Sequence, residues 1–242
     1  MSARVHPRQR EIAPADRARL FEVASLLLTY PDAELRGAAA ELAAAVAEIG
    51  DDEVRGQLTR FLVWFAASEG ADVEQHYVRT FDLRRRSGLY LTYYLHGDTR
   101  KRGLALLTLK QRYRAHGLRL RDGELPDLLP VVLEFAAVAG PGDGEAPLRQ
   151  HRQGLELLRL ALVEAGSPYR DLLDAVVLAL PPLTDADREA VAALAADGPP
   201  VEAVGLAAYG DELAGVGLGP APAGPTAGSL APCSAHPATP EV

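Results

Sequence analysis

LYLTYYLHG, residues 89–97, decides the fold class. Its aromatic and apolar side chains suit a buried strand and suit a short buried helix equally well, a choice that periodicity alone does not make over so few residues. The flanks favour helix. Downstream, Leu106, Leu109 and Tyr113 are among the apolar positions of a long helix from Asp98 to His116, with Gly117 as its terminator. Upstream, Val73, Tyr77 and Phe81 step along a shorter helix that ends before the loop DLRRRSG.

The helical period continues outward in both directions. Leu20, Phe21, Ala24, Leu27 and Leu28 mark a helix closed by Tyr30 and Pro31. Leu35, Ala39, Leu42, Val46 and Ile49 predict one amphipathic helix, capped by Asp32 and stopped by Gly50, and Val54, Leu58, Phe61, Leu62 and Phe65 predict the next. In ELPDLLPVVLEFAAVAG, Pro130 is tolerated if the helix starts near Pro126 or Asp127, among the N–H groups that have no intrahelical partner. Leu148, Leu155, Leu158 and Leu162 follow, then Ser167 as an N-cap before Pro168, then Leu172, Leu173, Val176 and Val177 facing inward. A last helix is expected from Thr184 to Ala196. No alternating pattern of useful length competes. The expectation is an all-α bundle or orthogonal array of nine or ten helices over residues 16–197, after a flexible N-terminus of residues 1–15. From Gly198 to Val242 proline, glycine and alanine dominate, a composition expected to stay disordered.

Composition excludes several functions. The chain has 242 residues, 48% of them hydrophobic, and 33 acids against 25 bases give a net charge of −8. Such acidity argues against non-specific adhesion to nucleic acid, which a helical domain would have to manage with Arg84, Arg85, Arg86 and the cluster at 100–102. Cys233 is the single cysteine, so a cytoplasmic location is expected, and no run approaches the roughly eighteen apolar residues of a membrane span. His76, His96, His116, His151 and His236 are scattered without the i, i+4 spacing of a metal site. Gly215, Gly217 and Gly219 have no strand before them and no helix after them, as a phosphate loop requires. No nucleophile motif or lysine-bearing phosphate loop is present, although Arg100 and Arg102 at a helix start could suit an anion. No metal, cofactor or catalytic role is expected, which leaves a binding protein.

The remaining chemistry lies in the central third. HGDTRKRG, residues 96–103, sets Arg100, Lys101 and Arg102 at a helix start, where each exposed cation costs about 0.3–1 kcal/mol against the macrodipole. Neighbouring carboxylates should compensate, and Asp98, Glu124 and Asp127 are the candidates. His96 and Gly97 read as a tight corner. Gly103, at a cost of about 1 kcal/mol within a helix, suggests a close backbone approach. Tyr90, Tyr93 and Tyr94 are expected in the core.

YVRTFD at 77–82, HGDTRKRG at 96–103 and ELPDLLPVVLEF at 124–135, in that order and spacing, resemble the family of respiratory nitrate reductase assembly chaperones, the delta subunit or NarJ family. The similarity covers roughly residues 16–180. It implies a cytoplasmic, non-catalytic chaperone that binds the N-terminal segment of the nitrate reductase catalytic (alpha) subunit. The chaperone keeps that apoprotein competent for molybdenum cofactor insertion and meets the membrane only through its client. Related families serve other molybdenum oxidoreductases. Joined to the charge pattern, the resemblance nominates Tyr77, Phe81, Asp82, His96, Asp98, Glu124, Pro126 and Asp127 as peptide-binding, with acids on the rim of an apolar groove. Arg100 and Arg102 would hold the carboxylates, and Gly97 and Gly103 would permit close helix packing. Members commonly carry histidine where this chain has Leu128.

Overall fold

The computed structural model describes residues 12–121, 123–198 and 200. The chain divides after residue 202, and the described residues belong to the first unit. Most of the expected tail, with Cys233, His236 and the glycines at 215–219, lies outside them.

Twelve α-helices form among the described residues: α1 Pro14–Leu27, α2 Ala33–Gly37, α3 Ala39–Ala47, α4 Asp52–Ala67, α5 Gly70–Tyr77, α6 Leu91–His96, α7 Arg100–Ala115, α8 Leu129–Ala139, α9 Ala146–Gln150, α10 Arg152–Glu164, α11 Arg170–Leu178 and α12 Asp185–Asp197. The all-α expectation holds, with more and shorter helices than nine or ten. The predicted helix from Asp32 to Gly50 is two. Asp32 does cap, accepting from Leu35 N at 2.9 Å, but the helix bends at Ala38, just after Gly37. Arg36 is drawn to the end of α4, where it donates to the Phe65 and Ser68 carbonyls at 3.1 and 2.7 Å.

Two other starts are corrected. α8 begins at Leu129, because residues 127–129 are committed to backbone bonds across the chain: Leu91 N donates to Asp127 O at 3.0 Å and Leu129 N to Leu89 O at 2.8 Å. Pro130 still falls where no intrahelical N–H is missed. Ser167 caps nothing. Its hydroxyl lies 2.8 Å from His76 Nε2, and α11 starts at Arg170. The ambiguous segment 89–97 is mostly helix, α6, preceded by one isolated antiparallel bridge between Tyr90 and Leu128. After α5 the chain widens into a π-turn over Val78–Asp82 and then a 3-10 turn over Arg85–Ser87.

In the core, α1 packs along α8 and α4 along α11, while α10 touches α6, α9, α11 and α12. Leu20, Leu58, Phe61, Leu133, Leu158 and Tyr169 are fully buried, each contributing about 1.5–3 kcal/mol for the apolar surface removed from water. At its centre Tyr169 meets Phe61 and Phe81 with centroids 4.9 Å away and stacks on His76 at 5.9 Å. α10 approaches α6 closely enough that a Cβ at Gly154 would stand 3.2 Å from the Leu91 carbonyl oxygen. α7 is anchored more lightly, through a separate cluster of Leu109, Tyr113 and Phe135.

Burial lowers the pKa of His76, with Arg79 and Arg84 adding to the effect. Burial does the same to His151, whose Nδ1 donates to the Pro147 carbonyl at 2.9 Å. Both folded values lie below the unfolded value of about 6.5. The stability from these neutral rings is therefore complete above about pH 6.5 and is lost progressively as pH falls below it. Urea midpoints should fall over that window, and His76→Gln should flatten the slope. Trp64, the chain's single tryptophan, has its ring 5.4 Å from the His76 ring and provides the fluorescence signal. A midpoint unchanged between pH 7 and 5 contradicts this account.

Candidate partner-recognition site

Gly97 ends α6 at φ 54° and ψ −150°, a conformation that residues with a Cβ avoid. A Cβ there would also stand 1.9 Å from the Pro200 carbonyl oxygen. The corner therefore requires glycine. Thr99 leads into α7 without capping it, because its hydroxyl donates back to the His96 carbonyl at 2.8 Å.

No acid lies in the first turn of α7. Compensation for its cations comes through Arg102, which reaches Asp98 at 3.3 Å and Asp127 at 3.6 Å. Arg102 Nε donates to Thr92 Oγ1 at 3.4 Å, and the Thr92 hydroxyl donates in a short bond to the Asp127 carboxylate. The guanidinium carbon sits 5.8 Å from each of the Tyr90 and Tyr93 ring centroids, a placement worth about 0.5–2 kcal/mol per ring. Asp127 is fully buried and one of its oxygens, Oδ1, has no hydrogen-bond partner, whereas the Asp98 side chain is 77% exposed. The third motif is strapped down as well, since the Tyr113 hydroxyl donates to the Pro126 carbonyl at 2.7 Å. Burial and then the charge of Lys101 lower the pKa of His96.

The three motifs meet the same body, but not all of their residues meet the surface. Asp98 and Asp82 are exposed, and His96 and Glu124 are half-buried. Asp127 and Pro126 are buried, so the expected placement of Asp127 on the rim is corrected: Thr92 and Arg102 hold its carboxylate inside. Tyr77 and Phe81 belong to the core, their rings 4.9 Å apart, with the Tyr77 hydroxyl donating to the Leu28 carbonyl at 3.1 Å. Gly103 is exposed with no atom within 4 Å of a built Cβ, so the expected close approach there is absent; Gly97 has one. Arg100 lies on the surface. Tyr94 is core as expected, whereas Tyr90 is 41% exposed.

Sequence reasoning missed Thr92, whose partner is set by the cross-chain bridge and leaves no local signal. It also missed Leu104 and Leu107, 68% and 49% exposed on α7. Their signal was available: RGLALLTL carries more leucine than one buried stripe uses. With Tyr90 and Leu125 they supply exposed apolar surface on the segments that carry Asp98 and Glu124. Among the described residues no group of His, Cys, Asp and Glu is arranged to hold a metal ion, and no helix is long and apolar enough to cross a membrane.

Two contrasts test this geometry. Asp127→Ala should cost about 1–3 kcal/mol by stranding Thr92 and Arg102, and Asp98→Ala at most about 1 kcal/mol, as for an exposed pair. Equal losses in chemical denaturation contradict the clamp. Gly103→Ala should stabilise by up to about 1 kcal/mol, whereas Gly97→Ala should destabilise; thermal melts that reverse that order overturn the assignment of the corner.

Known proteins resemble this chain over most of the described residues. NarJ of Bacillus subtilis is 35% identical over 165 residues, covering 68% of this chain and 90% of that one. The nitrate reductase molybdenum cofactor assembly chaperone NarJ of Escherichia coli is 32% identical over 170 residues, covering 69% and 72%. The nitrate reductase-like protein NarX of Mycobacterium tuberculosis is 41% identical over 157 residues, covering 65% of this chain but only 24% of that one. A redox enzyme maturation protein from Archaeoglobus fulgidus shares the fold, with a TM-score of 0.50 and 20% identity over 72% of this chain and 96% of that one. Residues 31–175 match the family model of the nitrate reductase delta subunit, and the chain belongs to that family.

Proposed function

We propose that this protein is an assembly chaperone for nitrate reductase. It would hold the N-terminal segment of the catalytic (alpha) subunit at the α6–α7 corner while the molybdenum cofactor is inserted. Its role is that of an assembly factor and not a catalyst, in line with the names of its relatives. The observation that carries the finer reading is the division of labour between two carboxylates. Asp127 is spent internally on Thr92 and Arg102, and this fixes Arg102 beside an Asp98 that remains open to a partner.

The energetics suit a peptide ligand. Micromolar affinity requires about 8 kcal/mol net, and an exposed acid supplies at most about 1 kcal/mol of it. Apolar burial must supply the rest, and Tyr90, Leu104, Leu107 and Leu125 are the exposed side chains available for it. A bound segment would then be amphipathic, with apolar anchors and at least one basic residue for Asp98, whose charge sets orientation and association rate.

Calorimetry with a synthetic peptide of the catalytic subunit's N-terminal segment tests the reading. Asp98→Ala should weaken binding by about fivefold, and Leu104→Ala combined with Leu107→Ala by more than tenfold, with little change in melting temperature. Unchanged affinity in both variants rejects the site. A peptide from another molybdenum oxidoreductase that binds more tightly would reassign the client, and full nitrate reductase activity in cells lacking the protein would reject the function.

A further inference from the structure

Between the first two motifs the chain makes a turn whose charges the fold does not use. Arg84, Arg85 and Arg86 are exposed, as is Arg79 in the preceding π-turn, and Leu83 is 72% exposed. Five other arginines, Arg102, Arg112, Arg149, Arg152 and Arg159, close on carboxylates. Among the described residues none of Arg79, Arg84, Arg85 or Arg86 does so, in a chain with a net charge of −8. The nearest acid in sequence is the exposed Asp82.

The backbone of this turn is fastened from inside. The buried Ser87 hydroxyl donates to the Thr80 carbonyl in a short bond, and Ser87 N donates to the Arg84 carbonyl at 3.1 Å. The buried Tyr94 hydroxyl lies 3.0 and 2.9 Å from the Arg86 and Gly88 carbonyl oxygens. With its carbonyls held inward, the segment presents Leu83 and the three arginines to solvent. The result is a fixed apolar tip flanked by cations.

A tip selects its partner by shape as well as charge. An arginine cluster can bind an acidic peptide motif, but pairing with the charges alone leaves the exposed Leu83 in water unless a groove receives the peptide, and single-stranded nucleic acid needs aromatic platforms for its bases. Residues 83–88 contain no aromatic side chain. An anionic bilayer surface needs neither groove nor platform, because its headgroup layer yields to an apolar side chain and its phosphates receive arginines. Against the expectation that the membrane is met only through the client, we propose that the turn at residues 83–86 is a docking element for anionic membrane surfaces, with Leu83 entering the headgroup boundary and Arg79, Arg84, Arg85 and Arg86 engaging lipid phosphates. The contact is reversible, and it does not depend on the peptide site.

Vesicle co-sedimentation of the full chain tests it. The protein should bind phosphatidylcholine vesicles containing about 30% phosphatidylglycerol and leave pure phosphatidylcholine vesicles alone. Raising salt from about 0.1 to about 1 M, which shortens the screening length from about 10 to about 3 Å, should release it. Each arginine near the surface is worth about fivefold in partitioning, so Arg84→Gln, Arg85→Gln and Arg86→Gln combined should weaken binding by about a hundredfold. Leu83→Asn should weaken it with the charge unchanged. Circular dichroism melts of both variants should match the parent, and both should retain binding of the client peptide. No binding to anionic vesicles, or equal binding by the triple variant, overturns the proposal. So does arginine-dependent binding of single-stranded RNA in place of vesicles.

Discussion

A carboxylate without access to water must find its partners inside the protein, and the central third of this chain is organised around that requirement. Asp127 is fully buried, and its bonds run to Thr92 at the second position of α6 and to Arg102 at the third position of α7. Its backbone carbonyl accepts from Leu91 N, which lines up residues 127–129 against 89–91 before α8 begins. One aspartate thus fixes two consecutive helices against a segment some way further along the chain. It also sets what the surface offers, because the arginine it anchors is the one that holds Asp98.

The cationic start of α7 is intelligible in the same terms. Arg102 faces inward between two tyrosine rings and two carboxylates, and its charge is more than offset before the helix dipole matters. The apolar face of α7 is divided. Leu109 and Tyr113 bury against Phe135, while Leu104 and Leu107 stay in water. A helix attached mainly at one end of its apolar stripe and clamped at its start leaves the middle free for another polypeptide.

Much of the fold could be read directly because helical periodicity reports burial. The inward residues of α1 and α4, those of α11 except the half-buried Val177, the cap at Asp32 and the start of α12 at Thr184, where a capping box closes, all follow from local pattern. What local pattern does not carry is competition for hydrogen-bonding groups between distant segments. Ser167 before Pro168 has the form of a cap, yet His76 claims its hydroxyl. Pro126 and Asp127 have the form of a helix start, yet Leu89 and Leu91 claim that backbone. The site was legible to a similar degree. Composition and order pointed to the link from Arg102 to Asp98 and Asp127, whereas Glu124 accepts from Arg121 N instead. Which acid is inside and which outside depended on Thr92, a residue with no sequence signal of its own. Gly103 was misread because a helical glycine looks the same whether a neighbour approaches or nothing does.

The π-turn at Val78–Asp82 has an implication for chain length. A π-turn accommodates one residue more than an α-helical path between the same two ends. Relatives shorter by a single residue at this point could close the turn into ordinary helix and keep Tyr77 and Phe81 against Tyr169. Deletion of one residue should therefore be tolerated within this aromatic nest at the π-turn. In α4 and α11, whose ladders are regular, the same change would rotate every following side chain by about 100° away from the ring it now meets.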